Sequence, residues 1–118
     1  MLKLRENIKV FVCAEAIDAR KSIDSLSMLI TEKFQDNPQS GHLFLFFNKV
    51  KDKVKILYWD QNGFILHYKR LEKHRFKVPK LMGVKHLEIS EIQLHGLLAG
   101  LDFTLMQHFP EINYYQYA

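Results

Sequence analysis

The 118-residue chain is 47% apolar and carries 17 Lys and Arg against 13 Asp and Glu, a formal charge of +4. That length and apolar content suit one domain over residues 1–118, with a hydrophobic core that needs neither disulfides nor metal. A lone cysteine excludes an internal disulfide and fits a reducing compartment. No window approaches the roughly 20 apolar residues of a membrane span, and Lys3, Arg5 and Glu6 stand where a secretory signal needs an apolar block, so a soluble, cytoplasmic protein with no membrane contact is expected.

Residues 9–13 read as a strand, with β-branched and aromatic residues on both faces and Cys13 as a small core residue. Ile23, Leu26, Ile30 and Phe34 then recur at spacings of three and four, which predicts an amphipathic helix over about 19–35. Asp18 is its candidate N-cap, and Asn37-Pro38 its stop, because proline disfavours helical geometry in the residue before it. Arg20 and Asp24 stand four residues apart, an ion pair worth about 0.2–0.5 kcal/mol in a helix.

A strand follows at 43–47, where five consecutive apolar residues imply burial on both faces. A polar loop, a second strand at 53–59, the turn signal Asp60-Gln61-Asn62-Gly63 and a third strand at 64–69 complete a central β-hairpin. A left-handed Gly63 bulge would sort its faces cleanly. In that register Val54, Ile56, Tyr58, Phe64, Leu66 and Tyr68 face the core, while Lys53, Lys55, Leu57, Trp59, Ile65, His67 and Lys69 form a basic and aromatic outer surface. A last helix is predicted over 90–101: Ser90 and Gln93 have capping-box spacing, and Leu94, Leu97, Leu98 and Leu101 form its stripe. Gly96 and Gly100 each weaken that helix by about 1 kcal/mol relative to alanine. The tyrosine-rich tail within 103–118 shows no usable period, which leaves docking, mobility and partner contact all open. The expected architecture is therefore α+β, an antiparallel sheet of three or more strands with both helices packed on one face.

Charge is unevenly spread. Between residues 42 and 80 ten bases face three acids, a net of +7, whereas residues 81–118 carry Lys85 against four acids. Bases beside aromatics suit nucleic acid, since cations neutralise phosphates and an indole stacks or wedges. The candidate DNA-binding residues are Lys53, Lys55, Trp59, His67, Lys69, Arg70 and Arg75, with Lys21 added because it stands near a helix N-terminus.

The segment from Asn37 to Glu72, with its pieces SGHLF, KILYWD, NGF and YKRLEK, then RF, and the later LLAGLDF at 97–103, resembles the accessory proteins encoded by the second reading frame of insertion sequence 66-type transposons. The resemblance runs from about residue 5 to 103. It implies a bacterial protein needed for transposition alongside a larger transposase of the same element, with no established activity of its own. The chain departs from the family pattern at an arginine-rich strand end, having Phe47, Val50 and Lys49, Lys51 and Lys53 instead. Lysine keeps the charge but lacks the planar bidentate fork, which argues against base-specific readout there.

Catalytic signatures are lacking. Asp18, Asp24, Asp60 and Asp102 each have a simpler reading, as cap, ion pair, turn former and helix-end residue, where a two-metal nuclease needs converging carboxylates. The six histidines, His42, His67, His74, His86, His95 and His108, show no HExxH or paired Cys/His spacing, so neither a metal nor another cofactor is expected. The sequence thus points to a non-enzymatic accessory protein that binds transposon-end or target DNA and works with the transposase. The competing reading is an adaptor that binds the transposase, or a second copy of itself, through exposed aromatics.

Overall fold

A computed structural model describes residues 7–78 and 83–102. In chain order its elements are β1 (Val10–Cys13), α1 (Ile23–Leu29) continued by a π-helical turn (Ile30–Phe34), β2 (Leu43–Phe47), β3 (Lys53–Asp60), β4 (Gly63–Arg70), β5 (His86–Ile89) and α2 (Glu91–Leu98). The strands form one sheet in the order β4-β3-β2-β1-β5. No helix among the described residues is long and apolar enough to cross a membrane.

The α+β class holds, but the sheet is mixed rather than antiparallel: β1 and β2 run parallel, with Val10 opposite Leu43 and Val12 opposite Leu45. The cause is the helix between them, since a crossover returns the chain to the end from which the first strand began. β2, β3 and β4 then form an antiparallel meander, and β5 joins the far side of β1 with His86 opposite Cys13. β5 escaped the sequence reading because only Leu87 and Ile89 carry its apolar signal in four residues.

Nor do the helices share a face. Leu26, Ile30 and Phe34 cluster with Phe11, Cys13, Phe44, Phe46 and Leu57. Leu94, Leu97 and Leu98 cluster instead with Val10, Val12, Leu43, Leu45, Phe47, Val54 and Ile56, the residues on the other side of the same strands. Two covered faces explain why every residue of β1 and β2 is buried, as their unbroken apolar runs anticipated.

Capping differs at the two helices. Ser22, not Asp18, is the N-cap of α1; its N–H donates to Ser25 Oγ at 3.1 Å and its carbonyl accepts from Leu26 N at 2.9 Å. The helix ends two residues before the Asn37-Pro38 stop, where Gln35 turns left-handed at φ 54°. At α2 the anticipated box forms, with Ser90 Oγ accepting from Gln93 N at 3.1 Å and Gln93 Oε1 accepting from Ser90 N at 2.9 Å. The helix stops at Leu98 because Gly100, at φ 87°, adopts the left-handed conformation that glycine alone reaches without strain. Gly100 N then donates to Leu97 O and Leu101 N to Gly96 O, the paired bonds of a Schellman C-cap, and Leu101 is left exposed outside the helix. The tail segment within 103–118 lies outside the described residues.

Candidate nucleic-acid interface

The hairpin register overturns the two-faced sorting drawn from sequence. Asp60 pairs with Gly63 around a two-residue Gln61-Asn62 turn, and the left-handed residue is Gln61 at φ 52°, not Gly63. Trp59 therefore stands opposite Phe64, Leu57 opposite Leu66 and Lys55 opposite Tyr68. Lys53, Lys55, Trp59 and Arg70 share the α1 face with Phe64, Leu66 and Tyr68, while His67 and Lys69 share the α2 face with Val54, Ile56 and Tyr58. Mixed charge was tolerable because β3 and β4 lie toward the sheet margin: Phe64 and Leu66 are half-buried against the α1 cluster, and the charged end of the strands projects beyond it.

Several proposed residues already have structural partners. Lys69 Nζ donates to Leu98 O at 2.8 Å, satisfying a carbonyl at the C-terminus of α2. His67 Nε2 lies 3.2 Å from Tyr58 Oη with the two rings stacked. Trp59 is half-buried, edge-on to Phe64 at 5.0 Å between ring centroids. Arg70 Nε donates to Glu72 at 2.9 Å. Lys53 Nζ lies 3.3 Å from Asp52. Arg20 pairs not with Asp24 but with Asp18, at 2.7 Å, and Asp18 Oδ1 also accepts from Arg20 N. Those bonds hold the Asp18 carboxyl well below the usual carboxylate range. Lys55 Nζ donates to Lys21 O and sits 5.6 Å from the centre of the Tyr68 ring, so Lys21 and Lys55 do come together.

The densest basic ground is at one end of the sheet, where β2 and β4 finish and β3 begins. Asn48, at 8% exposure the one buried polar side chain among the described residues, organises the β2–β3 turn. Its Nδ2 donates to Asp52 Oδ1 at 2.6 Å, and its Oδ1 accepts from Lys53 N at 2.9 Å. The bond from Asn48, with help from Lys53, keeps the Asp52 carboxyl ionised to lower pH than usual. Lys51 takes the left-handed conformation at φ 64°. The chain leaving β4 is then strapped to this turn: Leu71 N donates to Asp52 O at 2.7 Å and Phe76 N to Lys51 O at 2.8 Å. Phe76, 3% exposed, drives its ring against Phe47 at 5.4 Å and anchors the strap.

Those two backbone bonds join the turn, which carries Lys49 and Lys51, to the strap, which carries Lys73, Arg75 and Lys77, all exposed except the half-buried Lys51. The acids in this ground, Asp52 and Glu72, each hold a neighbouring base, Lys53 and Arg70. Of the residues proposed from sequence, Arg75 lies within the loop pair, and Lys53 and Arg70 border it. Lys49, Lys51, Lys73 and Lys77 belong to the +7 segment without being candidates on sequence grounds; charge density is their sequence signal, and the strapping that unites two loops has none. Burial pushes the Lys51 ammonium below its ordinary range. Among the described residues no three His, Cys, Asp or Glu side chains converge as metal ligands.

The family model of IS66 Orf2-like proteins matches residues 8–108, spanning every element described above. The chain belongs to the IS66 Orf2-like family. Two relatives from Sinorhizobium fredii (strain NBRC 101917 / NGR234) agree in extent. Uncharacterized protein y4jC is 31% identical over 111 residues, 93% of each chain, and uncharacterized protein y4hO is 33% identical over 103 residues, 87% of this chain and 89% of its own. No solved structure matches significantly. Membership of the IS66 Orf2-like family supports an accessory role in transposition, beside the transposase of such an element.

Proposed function

We propose that this IS66 Orf2-like protein assists transposition, without cutting DNA itself, by holding transposon-end or target DNA through the strapped loop pair at the basic end of the sheet. The observation that supports the reading is the pair of bonds from Leu71 N to Asp52 O and from Phe76 N to Lys51 O, which join the two loops that carry Lys49, Lys51, Lys73, Arg75 and Lys77. Lys53, Arg70, Lys55 and Lys21 flank that ground and extend it along the α1 face toward Tyr68. Lysine-rich loops suit phosphate contact, which positions a protein on DNA without reading bases. His67 and Lys69 lie on the α2 face, away from this surface, and Trp59 packs edge-on to Phe64.

A gel-shift titration against element-end and unrelated DNA, at two salt concentrations, tests this. Comparable affinity for both DNAs, falling steeply with salt, is the expected result. The rival adaptor reading draws on exposed apolar side chains near the same ground, Tyr68 at 53% and Val50 at 50%. A complex with the transposase that tolerates salt, together with no shift of either DNA, would favour the adaptor.

A further inference from the structure

β4 is the outermost strand on its side of the sheet, and among the described residues its backbone pairs only with β3. Its eight residues contain no proline and no bulge interrupts their register, so the edge is long and regular, the kind that recruits another strand. In an antiparallel ladder successive residues bond alternately inward and outward. Because Asp60 pairs with Gly63 across the two-residue turn, the odd residues of β4 bond toward β3, and Phe64, Leu66, Tyr68 and Arg70 offer N–H and C=O groups outward.

We propose that this edge pairs antiparallel with β4 of a second copy of the chain, His67 lying opposite its own counterpart. The strand's division into two halves favours a second copy as its partner. Phe64, Ile65 and Leu66 are apolar and half-buried, whereas His67, Tyr68, Lys69 and Arg70 are exposed and mostly basic. Antiparallel pairing about a two-fold axis lays the basic half of one copy along the apolar half of the other. Parallel pairing would instead stack Lys69 and Arg70 beside their own counterparts, and like charges directly opposite are destabilising.

The register follows from the faces. A two-fold axis perpendicular to the sheet keeps each face continuous, so a residue meets one of its own face and a central residue meets itself. Centring on His67 sets Leu66 against Tyr68, Ile65 against Lys69 and Phe64 against Arg70. Each charged side chain then covers an apolar one with its methylene stem, Lys69 over Ile65 while its Nζ keeps Leu98 O, and Arg70 over Phe64 while its guanidinium keeps Glu72. Centring on Leu66 sets Lys69 against Gly63 and loses that cover. His67 would occupy a non-hydrogen-bonded pair, where side chains approach most closely.

Disulfide trapping discriminates the registers. His67→Cys should form a covalent dimer under mild oxidation, because its two β-carbons come within bridging distance. Leu66→Cys and Tyr68→Cys should not, since each then stands two positions along the strand from its counterpart. The wild-type protein, whose sole Cys13 is buried, is the blank. Sedimentation of the unmodified protein should give a dimer near twice the 14.0 kDa chain, and Ile65→Lys, which opposes lysine to Lys69, should weaken it by at least about tenfold while circular dichroism stays unchanged. A monomer up to about 100 μM, well above the micromolar range expected of a small interface, overturns the proposal. So does trapping at 66 or 68 in place of 67.

Discussion

Replacing the cations of the strapped loops should flatten the salt dependence of DNA binding. Lys49, Lys51, Lys73, Arg75 and Lys77 form no ion pair among the described residues, so five cations are available to displace counterions from DNA. If each meets one phosphate, these loops contribute a slope of about −4.5 in the logarithm of affinity against the logarithm of salt, at roughly 0.9 per contact. Between 50 and 200 mM salt that is a loss of about 500-fold. Replacing Lys49, Lys73 and Arg75 together with glutamine leaves two contacts, a slope of about −1.8 and a loss of about 12-fold over the same range. All three side chains are exposed, so folding stability should stay within about 0.5 kcal/mol of wild type. Fluorescence anisotropy with a labelled duplex at four or five salt concentrations reads the slope directly. An unchanged slope in the triple variant would refute the assignment of DNA contact to these loops, and a flat wild-type slope would refute phosphate binding altogether.

Four further outcomes are expected. Phe76→Ala, which deletes a ring that is 3% exposed and packed on Phe47, should cost about 3–5 kcal/mol in urea denaturation. Asn48→Ala should cost about 1–3 kcal/mol in the same assay, since it leaves Lys53 N without its acceptor and Asp52 without its strongest donor. The glycines should separate: Gly41→Ala, at φ +89° with Ile8 Cδ1 3.6 Å from the new methyl, should destabilise by about 1–2 kcal/mol, whereas Gly63→Ala enters open space at ordinary φ and should change stability by less than about 0.5 kcal/mol. For pH, Asp18 and Asp52 have carboxyls depressed by their partners, so their contribution is present above an unfolded pKa of about 3.9 and is lost as pH falls through the folded values. Thermal melts should therefore drop below about pH 4, with a shallower fall in the Asp18→Asn, Asp52→Asn double variant; an identical acid limb in both proteins would count against these bonds.

Local patterns were legible wherever chemistry and conformation are decided by neighbours in sequence. The five apolar residues of β2, the Ser90–Gln93 box and the turn between Asp60 and Gly63 all stand where their spacing indicated, because each depends on contacts within a few positions. The family resemblance, carried by the block from Asn37 to Glu72, likewise needed no coordinates.

What required the tertiary structure was every relation between distant segments. A strand covered on two faces reads the same whether the helices lie together or apart, so only the separate clusters of Leu26 and Leu94 reveal one helix on each side. The direction of β1 relative to β2 was equally open to composition, whereas the Asp18–Arg20 pair and the Gly100 helix terminator are local features that the periodicity of the apolar residues does not reveal. The basic end of the sheet is the clearest case: sequence counted ten bases between 42 and 80, but a total of charge has no position. Two backbone bonds between loops some twenty residues apart turn that total into a surface, because electrostatic attraction for a phosphate depends on distance through space and not on order along the chain.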